Sequence, residues 1–535
     1  MIRSLTSSGY LFDQHASIWF RADYSGLNYS DGDEVESRLA ALIESATDVS
    51  VLSPELRACC TDWPSLYHLS PLRANLLRPF HARLATADVL EIGAGCGAIT
   101  RFLGECGSNV LALEGSSRRA GIVRSRTRDL LNVKVLAERF DDFQCDYRFD
   151  VVTLIGVLEY ACVFSSAKNA TRAMLDRARE FLKPGGMLLV AIENQLGLKY
   201  FAGAAEDHVG ISMYGIEGLY SKDQPQTFGR AVLESLLKDA VFAAVEFLVP
   251  LPDYKLPVSV ITEAGAALHG FNAATLASQS ARRDPQLPAL THFSLELAWP
   301  QIFENGLGID IANSFLVAAS PDPIAMVDQA ALAYHYSVDR QSRFCKEAFF
   351  FSDGATGEIV VKRRRLTLID QERVVGDIVE FDPQEHEVYI SGSILSCDFY
   401  KIVAVNGWTL RQVVSFFDRF LDILESLVSQ RGLGKLQRSL RATLPGDFFD
   451  VVPQNLVTDV DGIDWVIDKE WILFEPIELG YLIFRSILML LNSVARFGCP
   501  ASGEVYTRRE FVNVIMQALG LESQDADYER YVRLE

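Results

Sequence analysis

No stretch of the 535 residues approaches 18 uninterrupted apolar positions; GYLIFRSILMLLNSVARF comes closest and is broken by Arg485. MIRSLTSSGYLFDQHASIWF, at the start, lacks the apolar core of a secretory signal. Nine cysteines, with Cys59 and Cys60 adjacent, form no CxxC pair and no Cys/His group at metal-ligand spacing. A reduced, cytoplasmic protein with no transmembrane segment is expected, and peripheral work beside a membrane is compatible with that composition. Positive charge is also short: 50 Lys and Arg against 70 Asp and Glu leave a net charge of −20. A chain this acidic repels phosphate backbones, so a nucleic-acid partner is disfavoured, and a neutral or cationic ligand is easier to accept. Internal repeats and low-complexity linkers are absent as well.

What is present is too long for one core, so two or three domains are expected. Residues 1–84 read as a helical extension. In DGDEVESRLAALIESA, Val35, Leu39, Leu42 and Ile43 have helical spacing, and YHLSPLRANLLRPF starts a helix with Pro71 in its first turn. From Ala87 to about Leu248, short runs such as DVLEIG, NVLALEG, FDVVTLIGV and GGMLLVAIEN alternate with amphipathic segments. That alternation predicts an α/β domain over 85–325 whose parallel sheet is covered on both faces, with a helical insertion at about 258–310. From about Asp328 the texture changes. ALAYHYS, EAFFFSD and GEIVVKRR read as strands, and TLRQVVSFFDRFLDILESLVSQ then has a clear 3.6-residue period. A separate α+β domain is therefore expected over 326–535.

The first chemical centre is VLEIGAGCGAITRFLG, a buried strand, a turn through Gly93, Gly95 and Gly97, and a helix. Glycines let the backbone approach a ligand, and the helix N-terminus faces it. Glu114 ends the next strand, where an acid can take ribose hydroxyls, and Glu138 closes the third. A pyrophosphate would sit poorly beside Glu91, directly before the turn; a sulfonium or ammonium group would sit well. Glu91, the glycine turn, Glu114, Glu138 and the later FLKPGGMLLV together resemble the class I S-adenosylmethionine-dependent methyltransferases. The resemblance implies a Rossmann-like seven-stranded sheet. It also implies that Glu91 and the turn meet the methionine part of S-adenosylmethionine, that Glu114 holds the ribose, and that Glu138 and Arg139 border the adenine. Arg73 would meet the cofactor carboxylate or a surface acid.

Acceptor-facing groups are expected after the fourth and fifth strands. IGVLEYA offers Glu159 and Tyr160. IENQLGLKYFAGAAEDHVGISMYGIEG offers Glu193, Asn194, Lys199, Glu206, Asp207, His208 and Glu217 in a glycine-rich loop. His208 beside Asp207 is the first candidate for a general base, because imidazole titrates near working pH, and His68 is the second. These stretches, with YSDGDEVE, YHLSPLRANLLRPF, PDYKLP and ANSFL, look like methyltransferases encoded with bacterial surface-polysaccharide and O-antigen synthesis genes. That resemblance implies a sugar hydroxyl or sugar phosphate on a glycan or lipid-linked polysaccharide as acceptor, chain capping, glycosyltransferases as pathway partners, and a place at the inner membrane. A small-molecule O-methyltransferase is the alternative.

The second centre lies in GDFFDVVPQNLVTDVDGIDWVIDKEW. Asp450 and Asn455 have the spacing of a protein-kinase catalytic loop, and Asp468 follows Asn455 by thirteen positions. Lys362, in the strand IVVKRR, stands like a kinase's nucleotide-binding lysine, with Glu372 or Glu380 as its partner. The likeness to simple sugar and antibiotic phosphotransferases implies ATP and Mg2+, with Asp450 as base and Asn455 and Asp468 on metal. Phe448 replaces the usual His, Lys469-Glu470 replaces Phe-Gly, and a glycine-rich cover is missing. The competing reading is an inactive docking module.

Overall fold

The computed structural model describes residues 1–27, 32–165, 167–354, 356–367 and 374–535. Glu372 lies outside the described residues. The chain divides into two compact units, Met1–Ala267 with Gly306–Glu347, and Leu268–Asn305 with Ala348–Glu535.

In the first unit the strands are β1 (Leu11–Asp13), β2 (Ile18–Phe20), β3 (Asp88–Ile92), β4 (Asn109–Glu114), β5 (Val133–Ala137), β6 (Phe149–Ile155), β7 (Leu182–Glu193), β8 (Ala244–Leu251), β9 (Ser259–Thr262), β10 (Ser314–Ser320) and β11 (Ala331–Ser337). They run in the order β1-β2-β5-β4-β3-β6-β7-β10-β8-β9-β11. From β2 to β7 neighbours are parallel, and β10 enters antiparallel to both β7 and β8. Helices such as Ala98–Glu105, Ser117–Arg126 and Ala170–Glu180 connect the parallel strands. A strand covered on both faces cannot alternate polar and apolar side chains, which is why all seven residues of β10 are buried. The chain first steps outward from β3 to β4 and β5, then returns to place β6 on the other side of β3. Where strand order reverses in this way, a crevice opens beyond the carboxyl ends of the strands.

Three features differ from the expectations. The N-terminal region holds a hairpin as well as helices, and β2 joins β5 in parallel through Trp19↔Leu136. ALAYHYS, expected to open the second domain near 326, pairs with β9 through Ala333↔Ile261 and Tyr334↔Val260, so the first unit runs on to Glu347. The stretch expected as one insertion, 258–310, is split: β9 and the helix Glu263–Ala267 stay with the first unit, and 268–305 belongs to the second.

In the second unit, the helix Leu410–Gln430 opens on a capping box between Thr409 and Gln412. It buries Val413, Phe416, Phe417, Phe420, Leu421 and Leu424 in a core shared with the helix Leu479–Ser493. Strand Ile359–Arg365 pairs with His386–Val388, Leu456–Asp459 forms a hairpin with Asp464–Val466, and Trp471–Leu473 pairs with Val379–Phe381. Among the described residues no helix is long and apolar enough to cross a membrane.

Candidate active site

β3 ends at Ile92, and the chain turns through Gly93 (φ 75°), Gly95 (φ 57°) and Gly97 (φ 83°) into the helix Ala98–Glu105. A Cβ on Gly93 would stand 2.6 Å from Val157 Cγ2, so this turn packs directly on the loop after β6. A Cβ on Gly95 would meet nothing within 4 Å. Its backbone therefore has an open side. Glu114 steadies the turn: one carboxylate oxygen accepts the Gly95 N–H at 2.7 Å, the other the Ser116 N–H at 2.9 Å. Burial raises its pKa against these hydrogen bonds.

Glu91 is 3% exposed, and its Oε2 has no hydrogen-bond partner. Burial pushes its carboxyl up to about 8, with the nearby Thr100 hydroxyl pulling down and Glu114 pushing up. Glu138 is buried against Arg21, Nε to Oε2 at 3.0 Å, and Arg139 donates to the Phe164 carbonyl at 2.8 Å. Arg73 makes no salt bridge among the described residues, and its charge acts on Glu91 only at a distance. It is buried, donates to the Lys255 carbonyl at 2.8 Å and lies 4.3 Å over the Tyr67 ring, because the segment that carries it is part of the core. Sequence reasoning missed Arg21 and Tyr24. The Tyr24 hydroxyl donates to the Gly115 carbonyl, next to Glu114, and the Leu27 N–H donates to the same oxygen at 2.9 Å. Both lie in the turn after β2, which carries no motif and is closed by the Tyr24 N–H on the Arg21 carbonyl at 2.9 Å.

Beside the turn, three strand ends gather a buried charged cluster. Glu159 and Tyr160 follow β6, Glu193 ends β7, and Asp253, Tyr254 and Lys255 follow β8. Glu193 Oε1 accepts from Lys255 Nζ at 2.5 Å and from the Tyr254 hydroxyl at 3.3 Å. Its Oε2 lies 3.5 Å from His208 Nε2. The other ring nitrogen, Nδ1, is 3.2 Å from the Tyr160 hydroxyl. Glu206 accepts the backbone N–H of His208 at 2.8 Å and fixes the loop. Burial opposes ionisation of Glu193, but Lys255 and then His208 hold it well below the usual carboxylate range. Burial likewise opposes a charged His208, yet Glu193 lifts it to about 9. Burial and then Glu193 push Glu159 up to about 8.

Several expected roles change here. Asp207 is not the partner of His208: it is bound by Lys199 (3.0 Å), Lys255 (2.9 Å) and the Tyr200 hydroxyl. Burial works against that carboxylate, but the two lysines keep it ionised. Asn194 is spent on the fold, donating to the carbonyls of Asp310 and Ala312 at 2.8 and 2.7 Å. Glu217 is exposed, and His68 is buried edge-on against Tyr67 at 4.9 Å. Lys255 was overlooked although a lysine straight after an apolar strand, in PDYKLP, was a readable signal.

In the second unit, Asp450 is 4% exposed, and its Oδ2 accepts the N–H groups of Glu470 and Trp471, each at 2.7 Å. Burial pushes its carboxyl up to about 7, against those two hydrogen bonds. Asn455 donates to the Asp450 carbonyl at 3.0 Å. Asp468 has φ 53°, and its Oδ1 lies 3.1 Å from Arg363 Nε. Lys362 does not face this group. It is exposed, with Nζ 4.3 Å over the Phe351 ring. Successive side chains on a strand point to opposite faces, so the inward cation is its neighbour Arg363, which also binds Glu387. Glu380 lies on the strand Val379–Phe381, opposite Ile472, and not on a helix.

A family model described as a methyltransferase domain matches residues 90–188. Demethylmenaquinone methyltransferases from two strains of Tropheryma whipplei are 32% identical over 106 residues, 20% of this chain and 41% of theirs. The chain thus spans less than half the length of these relatives. The ubiquinone biosynthesis O-methyltransferase of Nitrosospira multiformis is 23% identical over 180 residues, 33% of this chain and 72% of the relative. Among solved structures, the N-methyltransferase NodS from Bradyrhizobium japonicum matches at 19% identity and a TM-score of 0.26, over 33% of this chain and 84% of that one. The CcbJ methyltransferase from Streptomyces caelestis matches at 15% and 0.29, over 51% and 98%.

Proposed function

We propose that this protein, whose first unit carries a class I S-adenosylmethionine-dependent methyltransferase domain, methylates a hydroxyl of a bacterial surface polysaccharide and so caps the chain. The turn supports a cofactor place at the end of β3. The open side of Gly95, the start of the helix Ala98–Glu105 and the unpartnered oxygen of Glu91 suit a zwitterionic, sulfonium-bearing ligand. Glu114 holds the Gly95 N–H in position, and Glu138, Arg139, Arg21 and Tyr24 border the space beyond it. When bound, the cofactor supplies an activated methyl carbon: the acceptor oxygen bonds to it, the carbon–sulfur bond breaks with its electron pair on sulfur, and the acceptor's proton goes to water.

The buried cluster of Glu159, Glu193 and His208, one loop away from Gly93, carries the choice of acceptor. Its carboxylates disfavour an anionic acceptor, so a sugar hydroxyl is preferred over a sugar phosphate. A polyhydroxylated acceptor finds the donors and acceptors that an apolar phenol cannot use. The test supplies the full chain with methyl-labelled cofactor and three acceptors: oligosaccharides ending in a free hydroxyl, the same capped with phosphate, and hydrophobic phenols. Label is expected on the free-hydroxyl glycan. Label on phenols alone would replace this reading with a small-molecule methyltransferase.

A second reading concerns the second unit, as a kinase-like phosphotransferase that caps the same glycan with phosphate. It is favoured by Asp468, held at φ 53° beside a buried arginine, since strained residues of this kind cluster at functional sites. Mg2+ on Asp468 would require Arg363 to let it go, and Asp450 is already engaged by two backbone N–H groups. Both facts suit a docking module for a glycosyltransferase equally well. Calorimetry with Mg-ATP separates them: binding that Asp468→Asn removes supports phosphotransfer, and no binding leaves the docking role.

A further inference from the structure

We infer that Glu159, Glu193 and His208 form a binding site for one divalent cation of the Mn2+ or Mg2+ class, which acidifies the acceptor hydroxyl; its role in methylation rests on the reading above. One ligand atom from each residue lies within 4.8 Å of the other two. A single cation can bridge that spacing after small side-chain rotations. Glu159 is 1% and Glu193 0% exposed, yet Glu159 Oε2, Glu193 Oε2 and His208 Nε2 make no hydrogen bond. Glu193 Oε2 and His208 Nε2 meet each other only as a 3.5 Å ion pair, and buried polar atoms that converge on one point without a hydrogen bond suit a ligand.

The surrounding groups prepare the three atoms for a metal. Once a cation displaces the ring proton, an Nδ1–H donated to the Tyr160 oxygen would leave the Nε2 lone pair facing the two glutamates. Lys255 and Tyr254 occupy Glu193 Oε1 and leave Oε2 for the site. Charge points the same way. Glu159, Glu193, Glu206, Asp207 and Asp253 are all buried side chains, and the lysines among them are Lys199 and Lys255. With His208 counted beside the two lysines, acids still outnumber bases in this cluster, a balance that a divalent ion would offset. Two carboxylates and one imidazole suit a hard or borderline ion and leave coordination positions for neighbouring hydroxyls of a sugar. The bound oxygen becomes more acidic, its proton passes to water, and the alkoxide faces the crevice beside the glycine turn. Glu159 reaches the site from the loop whose Val157 packs against Gly93, which places the cation next to the cofactor turn.

Mn2+ titration of the full chain, followed by electron paramagnetic resonance, tests this without any acceptor. One tightly bound ion per chain is expected in the wild type. Glu159→Gln and His208→Gln should each weaken it by at least about 10-fold, and Tyr160→Phe, a positioning change, by a smaller factor. Calorimetry with S-adenosylmethionine on the same variants should show unchanged cofactor affinity, which proves that they fold. No Mn2+ binding by the wild type, or the same binding in Glu159→Gln and His208→Gln, would overturn the inference and leave His208 as a metal-free base. If the wild type binds Mn2+ but not the cofactor, the methyltransferase reading fails and the cation site stands.

Discussion

Each unit carries candidate carboxylates, and these meet different partners. In the second unit the carboxylate of Asp450 is spent on the N–H groups of Glu470 and Trp471, and that of Asp468 on Arg363. In the first unit Glu91, Glu159 and Glu193 each keep an oxygen without a hydrogen bond. A buried carboxylate that is satisfied by its own chain holds structure together. One that is left short is costly to the fold and is retained for what it will bind. The difference between these particular carboxylates can be tested residue by residue.

It can be broken most forcefully at Asp450. Replacing it by alanine strands one buried and one part-buried N–H donor, the buried one worth about 1–3 kcal/mol, so the second unit should lose roughly 2–4 kcal/mol. Asp450→Asn keeps one acceptor oxygen and should lose less. Thermal unfolding of the two variants checks the order; equal, negligible losses would show that Asp450 is not structural.

Glu91 should behave in the reverse sense. Its carboxyl titrates at about 8 in the fold against 4.5 for the ordinary group. A raised folded pKa means that the native state holds a proton the unfolded chain has released. Stability from this group is full below about pH 4.5 and is lost as pH rises toward 8, by at most about 1.4 kcal/mol per unit. Glu91→Gln removes that slope and should leave the protein no less stable at pH 8, while S-adenosylmethionine affinity falls by about 10- to 100-fold, the worth of one charge-assisted contact. A cationic ligand also favours the ionised carboxylate, so wild-type affinity should rise from pH 6 to 8 and then level off. Calorimetry at several pH values reads both effects; a flat wild-type profile would remove Glu91 from the site.

How far the sequence already shows this contrast depends on distance along the chain. The strand, glycine turn and helix of 89–104 are local, and so is the 21-residue helix Leu410–Gln430 with its cap. Both could be read from period and turn chemistry. ALAYHYS was readable as a strand, but its partner was not, because pairing with β9 lies about 70 residues away and leaves no local trace. The charged cluster joins the ends of β6, β7 and β8 with a loop, and only the fold brings Glu159, Glu193, His208 and Lys255 together. Adjacent residues can even part company: Asp207 turns to the lysines and His208 to Glu193.

The smallest predicted effect tests the same point within one strand. Lys362 and Arg363 are neighbours in Ile359–Arg365, and a one-residue shift in a strand moves a side chain to the other face. Chemistry alone favoured the lysine, whereas the pleat gives Arg363 the inward position, with a side chain 6% exposed between Glu387 and Asp468. Arg363→Ala leaves two partly buried acids facing each other and should cost about 1–3 kcal/mol. Lys362→Ala removes one exposed contact with the Phe351 ring and should cost no more than about 1 kcal/mol. Denaturant unfolding of both variants measures the difference. If Lys362→Ala proves the more damaging, the inward cation has been misassigned, and the second unit regains the nucleotide-binding lysine that its sequence suggests.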